Sequence, residues 1–187
     1  LQRRRKMSVH SAELILGELA ATLPRADRDD YETLLAELTR PGRRVLLMGV
    51  GRVMISLKAW VKRLCHLGID MNYVGSENEQ PLHEGDLLVV GSSSGESALP
   101  VAIAKIAKRL GAEVFYIGCS PQSTIAGLAD HKLILYGRTK FAAETEFPSK
   151  QPMSSLFEQQ LFLLGDVIAL DIMERNGWTE ADIKAHH

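Results

Sequence analysis

Five short apolar runs, separated by turns and by segments of helical periodicity, dominate the sequence from Arg44 onward and leave few folds open. They are Arg44–Met48, Asp70–Val74, Asp86–Gly91, Glu113–Gly118 and Lys132–Tyr136. Each is too short for an amphipathic helix and reads as a strand buried on both faces. Residues 52–67 place Met54, Leu57, Val61 and Leu64 at helical spacing. Residues 97–110 do the same with Leu99, Ile103, Ile106 and Leu110, leaving Lys105, Lys108 and Arg109 outward. A short helix is predicted over 122–129. Parallel strands need crossover connections, so this alternation predicts an α/β fold. The expected core, residues 43–137, is three-layer αβα with a five-stranded parallel, doubly wound sheet.

Helices flank that core. Residues 8–23 and 28–40 read as two N-terminal helices, ended by Pro24 and by Pro41-Gly42. Residues 138–152 read as a loop. A long helix is predicted over 154–176, ending near Gly177, and a short one over 179–186 with Thr179 as N-cap. The long helix carries Phe157, Leu161, Leu164 and Ile168 on one face and Leu156, Leu163, Val167 and Leu170 on another. A helix apolar on two faces is either central or packed against another subunit, so a homo-oligomer is expected. The 187 residues fit one domain. Arg3, Arg4, Arg5 and Lys6 read as a disordered, solvated basic arm within residues 1–7.

Composition narrows the function. Hydrophobic residues at 45% and charged residues at 24% are ordinary for a globular chain, and a net charge of −1 gives no basic field for nucleic acid. No apolar run reaches the roughly 18 residues of a membrane span. Cys65 and Cys119 make neither a CxxC nor a zinc spacing, which fits a reducing cytoplasm.

Two loops could carry chemistry. Gly49-Val50-Gly51-Arg52 follows the first strand and opens a helix, as a dinucleotide fingerprint does, but Met54 stands where the third glycine belongs. A tight turn requiring glycine is the alternative. Ser92-Ser93-Ser94-Gly95-Glu96-Ser97 follows the third strand at a helix N-terminus. Hydroxyls and orphan N–H groups there suit a phosphate, and the absence of a P-loop lysine favours a monophosphate. A solvated serine turn is the other reading. In the strand order 2-1-3-4-5 both loops sit beside the switch point, where ligands bind.

These residues, in this order, resemble the sugar isomerase (SIS) domain family, whose flavodoxin-like fold with extra terminal helices is then expected. Within it the chain is most similar to the branch that isomerises 3-hexulose 6-phosphate. The matching segments are Gly49–Arg52, Arg63–Gly68, Ser92–Ser97, Pro152–Glu158 and Asp182–His186. The resemblance implies conversion of a phosphorylated 3-ketohexose to fructose 6-phosphate through an enediol, with formaldehyde fixation and pentose-phosphate supply both allowed as its setting. It implies Glu158 as the base and His186 as a helper, in its own or a neighbouring subunit's site. Gly51, Arg52, Ser92, Ser93, Ser94, Gly95, Glu96 and Ser97 would bind substrate. No metal or redox cofactor and a homotetramer are implied. Val53, Ser93 and Ser154 depart from the family pattern; the first replaces a Ser or Thr, which would remove a hydroxyl from the crevice, and the other two replace glycines. A sensor domain that binds without turnover, and an isomerase of another phosphosugar, are the competing expectations. Ser155-x-x-Glu158 also fits a capping box that would use Glu158 to close the helix start. His186 could equally belong to a frayed terminus. His66 reads as structural and His83 and His131 as solvated; Glu144 and Glu146 read as solvated loop residues, with lining of the crevice as the alternative.

Overall fold

The computed structural model describes residues 9–141 and 146–184. The basic arm, Glu144 and His186 lie outside the described residues. Five strands form one sheet: β1 (Val45–Met48), β2 (Met71–Tyr73), β3 (Leu87–Gly91), β4 (Glu113–Gly118) and β5 (His131–Ile134). Their order is β2-β1-β3-β4-β5 and every pairing is parallel, as the alternation predicts. The register aligns Leu47 with Val89 and Val89 with Phe115.

Successive residues along a strand face opposite sides, which splits the core in two. Leu47, Val89, Phe115, Ile117 and Leu133 face α2 (Arg28–Leu38), α3 (Gly51–Cys65) and α6 (Ser155–Asn176). Leu46, Met48, Leu88, Val90, Val114 and Tyr116 face α4 (Ala98–Arg109) and α5 (Thr124–Leu128). Both faces of the strands are covered, which is why these segments read as unbroken apolar runs. Helix α3 leaves on one side of the sheet and α4 on the other. The winding therefore reverses between β1 and β3, the position at whose strand carboxyl ends ligands bind in folds of this kind.

The closest helix contact joins α3 and α6. A Cβ on Gly165 would lie 2.3 Å from Trp60 Cδ1, so only glycine fits there. The Trp60 indole donates to the Leu161 carbonyl at 2.6 Å. This fixes the height of α6 against α3, and with it the position of the first turn of α6. Gly177, at φ 63°, ends that helix in the left-handed conformation. In front of α7 (Glu180–Lys184), Thr179 donates from both N–H and Oγ1 to Asp182 at 2.7 Å.

Helix α1 (Val9–Thr22) is tied on by a carboxylate. Glu18 accepts from Ser149 Oγ at 2.6 Å, from the Lys150 N–H at 2.7 Å and from Gln151 Nε2 at 3.0 Å. Pro24 falls in a turn of 3-10 helix, Leu23–Arg25, where the α-helix has already stopped. The second apolar face of α6 is only partly covered: Leu156 is buried, Leu163 and Val167 are half-buried and Leu170 is exposed, and Phe162, outside both faces, is exposed as well.

Three local expectations are corrected. The fifth strand starts at His131 and ends at Ile134, one residue earlier and two residues shorter at its end than the apolar pattern suggests. His131 is not solvated: it is half-buried, with its ring 5.9 Å from that of Phe115 and Nε2 3.7 Å from Glu113. Glu146 is also half-buried, and its carboxylate accepts from the Thr139 N–H at 2.8 Å and Oγ1 at 2.6 Å.

Candidate active site

The loop after β1 delivers Arg52 onto the first turn of α3. Gly51, at φ 56°, makes the left-handed entry that a side chain would strain. Arg52 Nε donates to Glu158 Oε2, in the first turn of α6. That bond and the carboxylate's charge raise the Arg52 pKa. Glu158 is 8% exposed while the Arg52 side chain is 66% exposed. The pair thus consists of a sunken carboxylate and a guanidinium that reaches it from the surface. Ser154 Oγ donates to the other carboxylate oxygen, Oε1, at 3.0 Å. Ser56, which the sequence did not single out, donates to the Glu158 carbonyl at 2.8 Å and binds α3 to the start of α6.

The capping-box expectation fails. The N-cap of α6 is Ser154, not Ser155, and the helix carries no side-chain capping bond. Glu158 sits one residue too far along to reach back to the cap N–H, and its carboxylate is directed to Arg52 instead. The residue before Ser154 is Met153, a non-glycine at φ 54°. That conformation is uncommon for a long side chain and marks strain beside the site.

The serine loop after β3 is held rigidly. Ser92 Oγ accepts from the Gly95 N–H at 3.1 Å, and the Ser92 carbonyl accepts from Tyr116 Oη at 2.9 Å. Burial pushes the Tyr116 hydroxyl up to about 12, so it is a permanent donor. Gly95 is at φ 66°, and a Cβ there would lie 2.0 Å from Ser123 Oγ. The Ser93 carbonyl accepts from the Cys119 N–H at 2.9 Å. Ser94 Oγ accepts from the Glu96 N–H at 3.3 Å. The Glu96 carboxylate accepts from the Thr124 N–H and Oγ1, both at 2.7 Å, and these bonds hold its pKa below the ordinary carboxylate value. Ser97 stands at the N-cap of α4 without a side-chain capping bond.

A cleft of about 650 Å³ opens beside this loop, lined by Ser94, Glu96, Cys119–Ser123, Ile134–Gly137, Thr139, Phe141, Glu146 and Phe147. Cys119–Ser123 and Thr139 were missed by sequence reasoning. Strand order was the available signal, since β4 neighbours β3 and its carboxyl-end loop must flank the serine loop. Burial pushes the Cys119 thiol up, so it stays protonated.

Two groups of predicted residues emerge: Arg52 with Glu158, and the loop Ser92–Ser97, of which Ser94 and Glu96 line the cleft. They abut through packing. A Cβ on Gly91, where β3 runs into the serine loop, would lie 3.1 Å from both Val53 Cγ1 and Leu161 Cδ2. Val53 is therefore a core residue, 7% exposed, packed under the loops after β1 and β3. Among the described residues, Glu37, Glu113 and His131 have the spacing to hold a metal ion. Arg43 already pairs there, with Glu37 and, at 3.0 Å, with Glu113.

Comparison with known proteins agrees with this fold. A family model for the SIS domain matches residues 66–165. The chain is 34% identical over 173 residues to a 3-hexulose-6-phosphate isomerase of Bacillus subtilis, covering 92% of this chain and 93% of the relative. It is 30% identical over 176 residues to one of Mycobacterium gastri, covering 94% and 85%. A crystal structure from Methanococcus jannaschii, of a protein inferred to be a 3-hexulose-6-phosphate isomerase, superposes with TM-score 0.80 at 22% identity, covering 96% and 98% of the two chains. The fold is that of a phosphosugar-handling α/β domain, and the chain belongs to the SIS domain family.

Proposed function

We propose that this protein is a sugar-phosphate isomerase that interconverts 3-hexulose 6-phosphate and fructose 6-phosphate, with Glu158 as the base. The observation that carries the reading is the orientation of Glu158. A buried carboxylate opens a helix, ignores that helix's own N–H groups, and meets an arginine from the loop after β1. Relatives of that activity at 34% and 30% identity support the substrate.

The chemistry follows from the residue types. The 3-ketose carries a proton on C2 beside the C3 carbonyl. A carboxylate removes it, and the electron pair moves onto the carbonyl oxygen to give a 2,3-enediolate. The hydroxyl proton on O2 is transferred to O3, and the proton held by Glu158 returns to C3. The product is the 2-ketose, with no atom gained or lost. Negative charge develops on oxygen, where the Arg52 guanidinium is a suitable donor. The serine loop would hold the phosphate through the hydroxyls of Ser92, Ser93, Ser94 and Ser97 and the N–H groups that open α4. Glu96 would act from behind, bracing that loop against α5 through Thr124. The exposed apolar residues Phe162 and Leu170 support a homo-oligomer, the tetramer among them, and the relatives' activity supports a place in formaldehyde fixation in the cytoplasm.

The test is proton exchange. Incubated with the protein in D₂O, fructose 6-phosphate acquires deuterium at C3, read by NMR. Deuterium at C1 instead would indicate an aldose–ketose isomerase of another phosphosugar. No exchange, with fructose 6-phosphate raising the Tm, would indicate a binding domain without turnover.

A further inference from the structure

Ser154 breaks a local rule at the site. A serine at a helix N-cap ordinarily turns its hydroxyl onto the N–H of the second or third helical residue, which would otherwise lack a partner. Ser154 occupies the N-cap of α6, with φ −100° and ψ 23°, and makes no such bond. Its hydroxyl instead donates to Glu158 Oε1 at 3.0 Å. Departures of this kind belong where function overrides local stability.

The carboxylate is thereby held at both oxygens, Oε2 by Arg52 and Oε1 by Ser154. The two holders differ in kind. Arg52 is two-thirds exposed, on a long side chain free to swing toward a substrate. Ser154 is half-buried, has one short torsion, and follows the strained Met153 at φ 54°. The Glu158 backbone is fixed separately, since its N–H donates to the Ser154 carbonyl at 3.0 Å and its carbonyl accepts from Ser56. Only the carboxylate's rotation is left, and Ser154 is the fixed group that sets it.

We infer that Ser154 is a positioning residue for the isomerisation: its hydroxyl fixes the plane of the Glu158 carboxylate, so the base keeps its aim when Arg52 turns to the substrate oxygens. This rests on the proposed role of Glu158. Loss of a hydrogen bond to a charged group predicts that Ser154→Ala lowers kcat about tenfold or more while KM for hexulose 6-phosphate changes less than about twofold. Because no cap bond is lost, any fall in Tm should stay within what one hydrogen bond to a charged group supplies, at most about 12 °C. Ser154→Thr, which keeps the hydroxyl, should restore kcat. The crystal structure of Ser154→Ala should show the Glu158 carboxylate rotated from its wild-type plane. Unchanged kcat, a kcat loss that Ser154→Thr fails to restore, or an unrotated carboxylate would overturn the inference. If wild-type protein turns over no hexulose phosphate, the proposed function fails by itself, and the rotation seen or absent in the crystal still decides whether Ser154 orients the carboxylate.

Discussion

At the scale of single residues, the site depends on Ser94, Gly95 and Glu158. Ser94 lines the cleft and is part of the loop assigned to the phosphate. Removing one hydrogen bond to a charged ligand should weaken fructose 6-phosphate binding by about tenfold or more in Ser94→Ala, measured by calorimetry. Unaltered affinity would remove the serine loop from the phosphate. Gly95 is constrained from two directions, by its φ of 66° and by Ser123 Oγ, 2.0 Å from where a Cβ would stand. Gly95→Ala should therefore distort the loop and abolish phosphate-ester binding without unfolding the sheet, a combination visible by calorimetry beside far-UV circular dichroism. The serine loop was legible in the sequence because hydroxyls, a glycine and a helix start fall together there. The aim of Glu158 was not. Ser155-x-x-Glu158 has capping-box spacing, and only the N-cap at Ser154 shows that the box is out of register.

Among elements, the contact between α3 and α6 sets the catalytic geometry, because one helix carries Arg52 and the other Glu158. Gly165 lies against Trp60 with no room for a methyl group. Gly165→Ala should destabilise the protein by about 1–3 kcal/mol through overpacking, measured by urea unfolding. A neutral result would mean that the two helices can slide apart without loss. The clamp of Glu18 on residues 149–151 predicts a pH dependence. Burial raises its pKa, but the bonds from Ser149, Lys150 and Gln151 outweigh this and leave it below the ordinary value of 4.5. A carboxylate depressed in the folded state stabilises fully above its unfolded pKa and loses that contribution as pH falls through the folded value. The Tm advantage of wild type over Glu18→Gln should be full at neutral pH and shrink below about pH 4.5. Strand and helix order were legible from the apolar runs. The Glu18 clamp was not, since it joins residues some 130 positions apart that share no local pattern.

For the whole molecule, the parallel sheet explains why the site lies where it does. Crossing from one face to the other between β1 and β3 sets the carboxyl ends of those neighbouring strands side by side, and both predicted loops grow from them. The second apolar face of α6 runs from buried Leu156 to exposed Leu170, and that uncovered end is what the two-faced pattern in the sequence leaves for a partner. Leu170→Glu should shift the protein to a smaller species in analytical ultracentrifugation. An unchanged species would show that this face is not the one covered. Sequence could predict that such a face exists, because periodicity records which residues avoid water. It could not say which residues stay exposed, since Leu156 and Leu170 are equally apolar and only the first is buried in this chain.

The central claim is that Glu158 moves the proton. Hexulose 6-phosphate, formed in situ from ribulose 5-phosphate and formaldehyde by a purified synthase, can be followed to fructose 6-phosphate in a coupled assay with wild-type protein and Glu158→Gln. The account predicts turnover that falls by about 10² or more in the variant, with fructose 6-phosphate affinity retained. Turnover by Glu158→Gln at the wild-type rate would contradict it.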